Sequence, residues 1–313
     1  MTHEDAGIVI VTFNSAAEIG ACLDAAMQTG AEIVVVDNAS SDGTVEEVRR
    51  RGVRLIANSD NRGFAAATNQ GFVVLNHPYV LLLNPDAVLK TDLQPLIRAC
   101  EMPGAAGAGG KLIDSEGRPQ IGFMARSLPT AATLILESLL LNRICPNNPV
   151  NRRYRGSGLN YERRLEVEQP AGAFLMIRRT VWEELGGFDE GFHPLWFEEV
   201  DFCRRAIDRG YRMYYEPEAV AKHTGGHSLG ALALGARRFY WYRSLLKYSA
   251  KHFGSRDFRA VCLAVVAGSI LRGVAESAIT RRFKPIEVYG KVVRLAAQSL
   301  IFGWREKAVT GLR

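Results

Sequence analysis

Four acids and a histidine stand where strand and helix ends would let them act on a ligand: Asp37, Asp86, Glu198, Glu199 and His223. Leu81, Leu82 and Leu83 form an apolar run that stops at Asn84, Pro85 and Asp86. The run is too short for a helix and reads as a buried strand. Pro85 cannot continue a sheet ladder, so the chain leaves the sheet there. The Asp86 carboxylate is then held just beyond the strand's carboxyl end, where open α/β sheets bind ligands. A metal-bound diphosphate would sit at such a place; a carboxylate that only closes a turn is the alternative. Glu198 and Glu199 open a helical stretch, which the helix dipole alone would favour, so their placement admits a structural reading as well as a chemical one.

The elements that must position these groups alternate. Gly7 to Thr12 predicts a strand, and Phe13, Asn14 and Ser15 a helix start before Ala16 to Gln28. Glu32 to Asp37 predicts a second strand, followed by a charged helix to about Gly52, with Asp42 read as its cap. Val53 to Asn58 and Tyr79 to Asn84 predict two more, separated by a helix that opens at Asn61 to Phe64 and contains Asn69 and Gly71. Such alternation implies an α/β fold with a mostly parallel sheet, its strand ends at Thr12, Asp37 and Asn84 lying along one edge. Neither GxGxxG nor GxxxxGK[ST] follows the first strand, so phosphates would have to be held by a cation.

The ordered set Val11 to Asn14, Val36 to Thr44, Asn61 to Gly71 and Asn84 to Asp86 resembles family 2 of the inverting glycosyltransferases, of GT-A fold. Within that family the chain is most similar to the rhamnosyltransferase-like branch that builds bacterial cell-surface polysaccharides. The resemblance spans roughly Gly7 to Gly230. It implies transfer of a sugar, such as L-rhamnose, from a dTDP- or UDP-linked donor to a saccharide or lipid-linked acceptor. Galactofuranose, glucose and N-acetylglucosamine are the other sugars to weigh. It further implies that Thr12, Phe13 and Asn14 line the nucleotide, that Asp37 accepts from the base imide, and that Arg62 and Asn69 lie on the nucleotide side. Asn84 takes the place of the first acid in the family's DxD, leaving Asp86 as the one carboxylate for Mn²⁺ or Mg²⁺. His223, at a strand end before Gly225 and Gly226, matches the family histidine that completes the metal site, and imidazole tilts the choice toward Mn²⁺. Glu199, with Glu198 beside it, falls at the general base, which must take the proton of the attacking hydroxyl. Gly172, Ala173, Trp196 and His227 are expected on the acceptor side. Asp201, by contrast, is read as an i,i+4 partner of Arg205.

Between Asp114 and Glu168 the pattern weakens, and the stretch reads as an insertion or lid. Its Arg152, Arg153, Arg155, Arg163 and Arg164 could meet acceptor phosphates or form a solvated face. Phe174 to Ile177 predicts a strand and Val181 to Leu185 a short helix. Arg212 to Tyr215 and Ala219 to Lys222 predict two strands separated by Pro217.

Composition sets the remaining bounds. A chain of 313 residues with 47% hydrophobic and 23% charged residues is globular and long enough for one large α/β core plus an appendage. Cys22, Cys100, Cys145, Cys203 and Cys262 form no CxxC pair, against a zinc module or disulfide framework. Residues 237–313 hold 16 Lys and Arg against 4 Asp and Glu, a net +12; the preceding part keeps 23 basic and 29 acidic residues, a net −6. The expected division is therefore a catalytic domain over 1–235, with a nucleotide-sugar half to about 112 and an acceptor half from about 165, and a basic helical tail over 236–313. No run approaches the ~20 apolar residues of a spanning helix. The uncharged stretch Ala260 to Leu271 fits a helix lying on a membrane or packing on the protein, including on a second copy in a homo-oligomer. Met1 to Gly7 lacks a secretory pattern, so the catalytic part is expected in the cytoplasm, peripheral on the inner face of the plasma membrane. No nucleic-acid module accompanies the basic aromatic tail. A non-catalytic nucleotide-sugar binder would have a broken base or metal site, and a nucleotidyltransferase a Gly-rich basic loop after the first strand; this sequence shows neither.

Overall fold

The computed structural model describes residues 5–225 and 234–305. The chain forms two compact units: one comprises residues 1–128, 155–190 and 198–231, the other 129–154, 191–197 and 232–313.

The first unit is built on β1 (Ala6–Thr12), β2 (Glu32–Asp37), β3 (Arg54–Ala57), β4 (Tyr79–Leu83), β5 (Ala87–Leu89) and β6 (Ala105–Ile113). Further along the chain come β7 (Ala125–Arg126), β8 (Leu165–Val167), β9 (Gln169–Pro170), β10 (Phe174–Arg178) and β11 (Arg212–His223). Nine strands make one sheet in the order β3-β2-β1-β4-β10-β6-β11-β5, with β8 also on β11. The pairings run β1, β2, β3, β4, β6 and β11 one way and β5, β8 and β10 the other, so the sheet is mostly parallel. Strands buried on both faces are apolar up to their carboxyl ends: every residue of β1 is buried, with Thr12 the one polar side chain at its end, as are Val80 to Leu83. Helix α1 (Ile19–Met27) seats Ile19, Cys22, Leu23 and Ala26 in the core. Between α2 (Thr44–Arg50) and β4, α3 (Phe64–Val74) lies so close on β1 that a Cβ on Gly71 would come within 2.4 Å of Val9 Cγ1. α4 (Gln94–Cys100) packs near β6 and β11.

Three elements differ from expectation. Helix α1 begins at Ile19 rather than near Ala16, because the Ser15 carbonyl accepts from both Glu18 N and Ile19 N and turns residues 16–18. The two strands expected around Pro217 are one twelve-residue strand, with a register shift between Glu216 and Val220 that leaves Pro217 in the bulge, where a proline is tolerated. The segment expected as a lid carries ordered helices α5 (Ala131–Ser138), α6 (Leu141–Ile144) and α7 (Pro149–Tyr154), and its Arg164 pairs with the buried Glu216.

The second unit gathers α5–α7 with helices Leu234–His252, Ser255–Thr280 and Lys284–Phe302. The Ser255–Thr280 helix presses against α5, where a Cβ on Gly268 would lie 1.9 Å from the Ser138 carbonyl oxygen, and Arg272 donates to Glu137 O at 2.9 Å. At 26 residues this helix is long and apolar enough to cross a membrane by length and composition, which corrects the expectation of a segment too short to span. Arg259 and Arg272 flank the uncharged stretch in the sequence, and the helix runs through both. Phe258, Val261, Cys262, Val265 and Ser269 on it are buried within the protein, as in a core helix.

Candidate functional site

Register puts the first polar cluster at the carboxyl edge of the sheet. Thr12 lies opposite Asp37 in the ladder, and its hydroxyl donates to Asp37 Oδ1 at 2.8 Å. Ser40 donates its N–H to Asp37 Oδ2 at 2.9 Å and its hydroxyl to Oδ1. Asp37 is 1% exposed, and these donors offset the cost of burying its charge. Asn14, at φ 51°, joins the loops after β1 and β2, accepting from Ser41 N at 2.8 Å while its own N–H donates to Ser40 Oγ. Asp42 accepts from Thr44 N at 3.0 Å and from Ala16 N at 3.1 Å, but the N-cap of α2 is Gly43 rather than the expected Asp42. Phe13 is half-buried and Arg62 exposed. The cluster is a prebuilt cradle in which Thr12 serves Asp37 rather than lining a ligand with its hydroxyl.

Asn69 lies elsewhere. Its Nδ2 donates to Phe188 O at 2.9 Å and to Glu190 Oε1 at 3.0 Å, while Oδ1 accepts from Phe188 N at 2.9 Å. It clamps the turn of Gly186 and Gly187, both in the left-handed region, after α8 (Arg179–Glu184). A Cβ on Gly187 would stand 2.8 Å from Asn69 Oδ1. Arg205 closes the same turn from α9 (Glu198–Asp208), donating to Gly187 O at 2.8 Å while paired with the buried Asp201 at 2.7 Å. Asp201 is thus the structural acid its spacing suggests. Asn69→Ala should cost about 1–3 kcal/mol, the penalty for leaving buried partners unsatisfied, read as a lowered midpoint in chemical denaturation.

The second cluster pairs Asp86 with His223. Asp86 Oδ1 lies 3.4 Å from His223 Nε2, both residues are buried, and Thr224 N donates to Asp86 O at 3.3 Å. Burial pushes the Asp86 carboxyl up, but hydrogen bonding and charge from His223 outweigh it, with backbone N–H groups, Gly225 among them, adding to the net lowering. Asp86 therefore stabilises the fold above the ordinary carboxylate range, a contribution lost as pH falls. Asn84 bonds through its backbone, its N–H to Ala173 O at 3.0 Å, which ties the end of β4 to the Gly172–Ala173 turn. One carboxylate oxygen and one imidazole nitrogen facing each other fit a divalent cation whose remaining ligands come from a diphosphate and water. Among the described residues no group of three or more His, Cys, Asp or Glu could hold a metal by itself, so a cation at Asp86 and His223 would take its other ligands from elsewhere.

The third cluster is the acidic pair. Glu198 is 5% exposed, and its Oε2 has no hydrogen-bond partner. Burial, joined by the charge of Glu199, holds its carboxyl well above the usual range. Glu199 is raised too, first by burial, with backbone N–H groups at the helix start and the charge of Arg126 pulling the other way. Gly172 faces it: a Cβ there would meet Glu199 Cγ at 3.3 Å. Trp196, at φ 77°, belongs to the second unit, and His227 lies outside the described residues.

Three residues were not singled out from sequence. Gln120 and Phe123 contact His223, by hydrogen bonds and by ring stacking, and Arg126 acts on Glu199. The pairing of β7 with β9 brings Arg126 beside the 169–173 segment.

A mostly parallel sheet with polar and acidic side chains gathered at its carboxyl edge is the architecture of the GT-A fold. The chain belongs to glycosyl transferase family 2, whose model matches residues 7–186. It is 26% identical over 276 residues, 78% of this chain and 88% of the relative, to the N-acetylglucosaminyl-diphospho-decaprenol L-rhamnosyltransferase of Mycobacterium tuberculosis H37Rv. It is also 26% identical over 176 residues, 55% of this chain and 62% of the relative, to rhamnosyltransferase WbbL of Escherichia coli K12. Among solved structures, the mannosyltransferase PcManGT of Pyrobaculum calidifontis, in complex with GDP-Man and Mn²⁺, matches with TM-score 0.54 and 16% identity, covering 96% of this chain and 88% of that one. GalNAc-T7, solved with UDP, GalNAc and Mn²⁺, matches with TM-score 0.57 and 14% identity, covering 78% and 47%.

Proposed function

We propose that the protein transfers L-rhamnose, with inversion, from a dTDP- or UDP-linked donor to a hydroxyl of a lipid-linked saccharide. The observation that carries this reading is the facing of Asp86 Oδ1 and His223 Nε2 at the sheet's ligand edge, two atoms that can both ligate a cation when the imidazole is neutral. When bound, Mn²⁺ or Mg²⁺ would neutralise charge on the departing diphosphate. Asp86 and His223 hold that position, and the Asp37 cradle receives the base, with Phe13, Asn14 and Arg62 around it. Among the described residues Asp37 Oδ2 accepts from Ser40 N, which leaves a lone pair for the imide. Glu199 takes the acceptor proton, and its raised carboxyl makes it a stronger base once ionised. Gly172 and Ala173 keep the ground before it open. Rhamnosyltransferase relatives support the choice of sugar and the named acceptor of one of them the lipid-linked substrate. A screen of nucleotide sugars for hydrolysis, with and without Mn²⁺, tests it: turnover only with dTDP- or UDP-rhamnose and cation is expected, and turnover of another sugar refutes the donor.

We propose further that the basic tail over 236–313 holds this chemistry at the inner face of the plasma membrane. Ile279 and Phe283, 81% and 82% exposed, flank Arg281 and Arg282 at the turn between the last two helices, with Lys284 next. Apolar side chains beside clustered positive charge suit an anionic bilayer, each basic residue near the surface contributing about 1 kcal/mol. Sedimentation with anionic vesicles should fall with salt and with the Ile279→Ser, Phe283→Ser double substitution. Failure to bind vesicles at any salt overturns the membrane assignment, as does a homo-oligomer in light scattering that the same substitutions dissolve.

A further inference from the structure

The imidazole of His223 is gripped at two points by one side chain. Gln120 Nε2 donates to the His223 carbonyl oxygen at 2.8 Å, and Gln120 Oε1 lies 3.1 Å from His223 Nδ1. The orientation of the amide follows from its partners: a backbone carbonyl only accepts, so the amide nitrogen must face it and the amide oxygen must face the ring. An amide oxygen only accepts as well, so Nδ1 carries the proton. In the neutral ring Nε2, the atom 3.4 Å from Asp86 Oδ1, then keeps its lone pair, which a cation between the two would take up. Phe123 stacks on the ring at 5.2 Å between centroids and 6° between planes, blocking rotation out of this pose. The clamp is itself fixed: Gln120 N donates to Leu112 O at 2.9 Å, and Gln120 O accepts from Phe123 N and Met124 N.

We infer that Gln120 is a positioning residue for cation binding, selecting the His223 tautomer that offers Nε2 as a ligand opposite Asp86. The inference rests on the metal reading proposed above, and groups that orient a metal-bound histidine are typically worth 10- to 100-fold in affinity. Ring-nitrogen NMR of ¹⁵N-histidine-labelled protein, His223 assigned by a His223→Gln variant, reads the tautomer without any metal. At about pH 8 the full-length protein should show the Nδ1–H form and Gln120→Leu the loss of it. Mn²⁺ titration in the presence of dTDP, followed by electron paramagnetic resonance, should then show roughly 10- to 100-fold weaker binding in Gln120→Leu. Gln120→Glu, which still accepts from Nδ1–H, should recover most of that loss, and kcat of Gln120→Leu at saturating Mn²⁺ should approach that of the parent. An Nε2–H tautomer in the unsubstituted protein overturns the inference whatever the metal does. So does Gln120→Leu with a lowered melting temperature and unaltered Mn²⁺ affinity. Normal Nδ1–H signals with no Mn²⁺ binding in the parent would instead overturn the metal reading, and with it the role of the clamp in cation binding.

Discussion

Glu199→Gln should lose roughly 10²- to 10⁴-fold in kcat, the usual share of a general base, while donor affinity stays as it was. The amide is nearly the size of the carboxylate, so the contact with Gly172 survives and only proton acceptance is removed. Glu198→Gln should lose less, because its orphaned Oε2 is sealed in protein while Glu199 is partly exposed. The pair also sets a pH dependence. A carboxyl whose folded value is raised contributes stability below the ordinary carboxylate range and loses it as pH rises through the folded value. Glu198→Gln removes that loss and should raise the melting temperature at neutral pH. Glu199, raised in the same direction, must ionise to act, so activity should fall on acidification at a pH above that of an ordinary carboxylate. Single-turnover assays across pH check both. A dead Glu198→Gln beside an active Glu199→Gln would shift the base by one residue.

Asp86→Ala and His223→Ala should each abolish the cation-dependent part of donor binding in calorimetry with Mn²⁺ and dTDP. Cation-independent contacts through the Asp37 cradle should persist in both. The two substitutions differ in what they do to the fold. Removing Asp86 leaves His223 Nε2 without its facing carboxylate, whereas removing the imidazole leaves Phe123 and Gln120 without the ring they hold. His223→Ala should therefore be the less stable, by about 1–3 kcal/mol for the buried polar atoms left over, so His223→Gln is the cleaner partner experiment. Mn²⁺-dependent binding that is intact in Asp86→Ala and in His223→Gln would remove the metal assignment.

Local pattern carried the order of elements from β1 to β4, because a β-branched run between turn residues has one physical reading. It also carried the acids at strand and helix ends. Direction and neighbour choice were not legible: β10 is as apolar as β4, and nothing in an apolar run says that it lies antiparallel between β4 and β6. Asn69 sits in a motif-like stretch, yet its partners are 119 and 121 residues away, beyond the reach of local spacing. Gln120 acts on a residue 103 positions later from an aperiodic polar loop, so neither periodicity nor charge could single it out. The length of the Ser255–Thr280 helix was missed for a related reason. Arg259 and Arg272 look like boundaries in sequence, but a charged side chain can leave the apolar face of a helix without ending it.

The central seat of β10 has a consequence for how the chain is made. Until residues 174–178 leave the ribosome, the apolar strand Tyr79–Leu83 has β1 on one side and an open hydrogen-bonding edge on the other. Such an edge is a template for pairing with another chain. Some 90 residues must be synthesised before its own partner arrives, a wait of several seconds at ordinary elongation rates. His223 comes later still, at the end of β11, so the cation pair is completed only after the sheet has closed around β10. Nascent chains of this protein therefore pass through a stage in which β4 is made but one of its edges is unpaired, and that stage is where holdase chaperones would have most to protect.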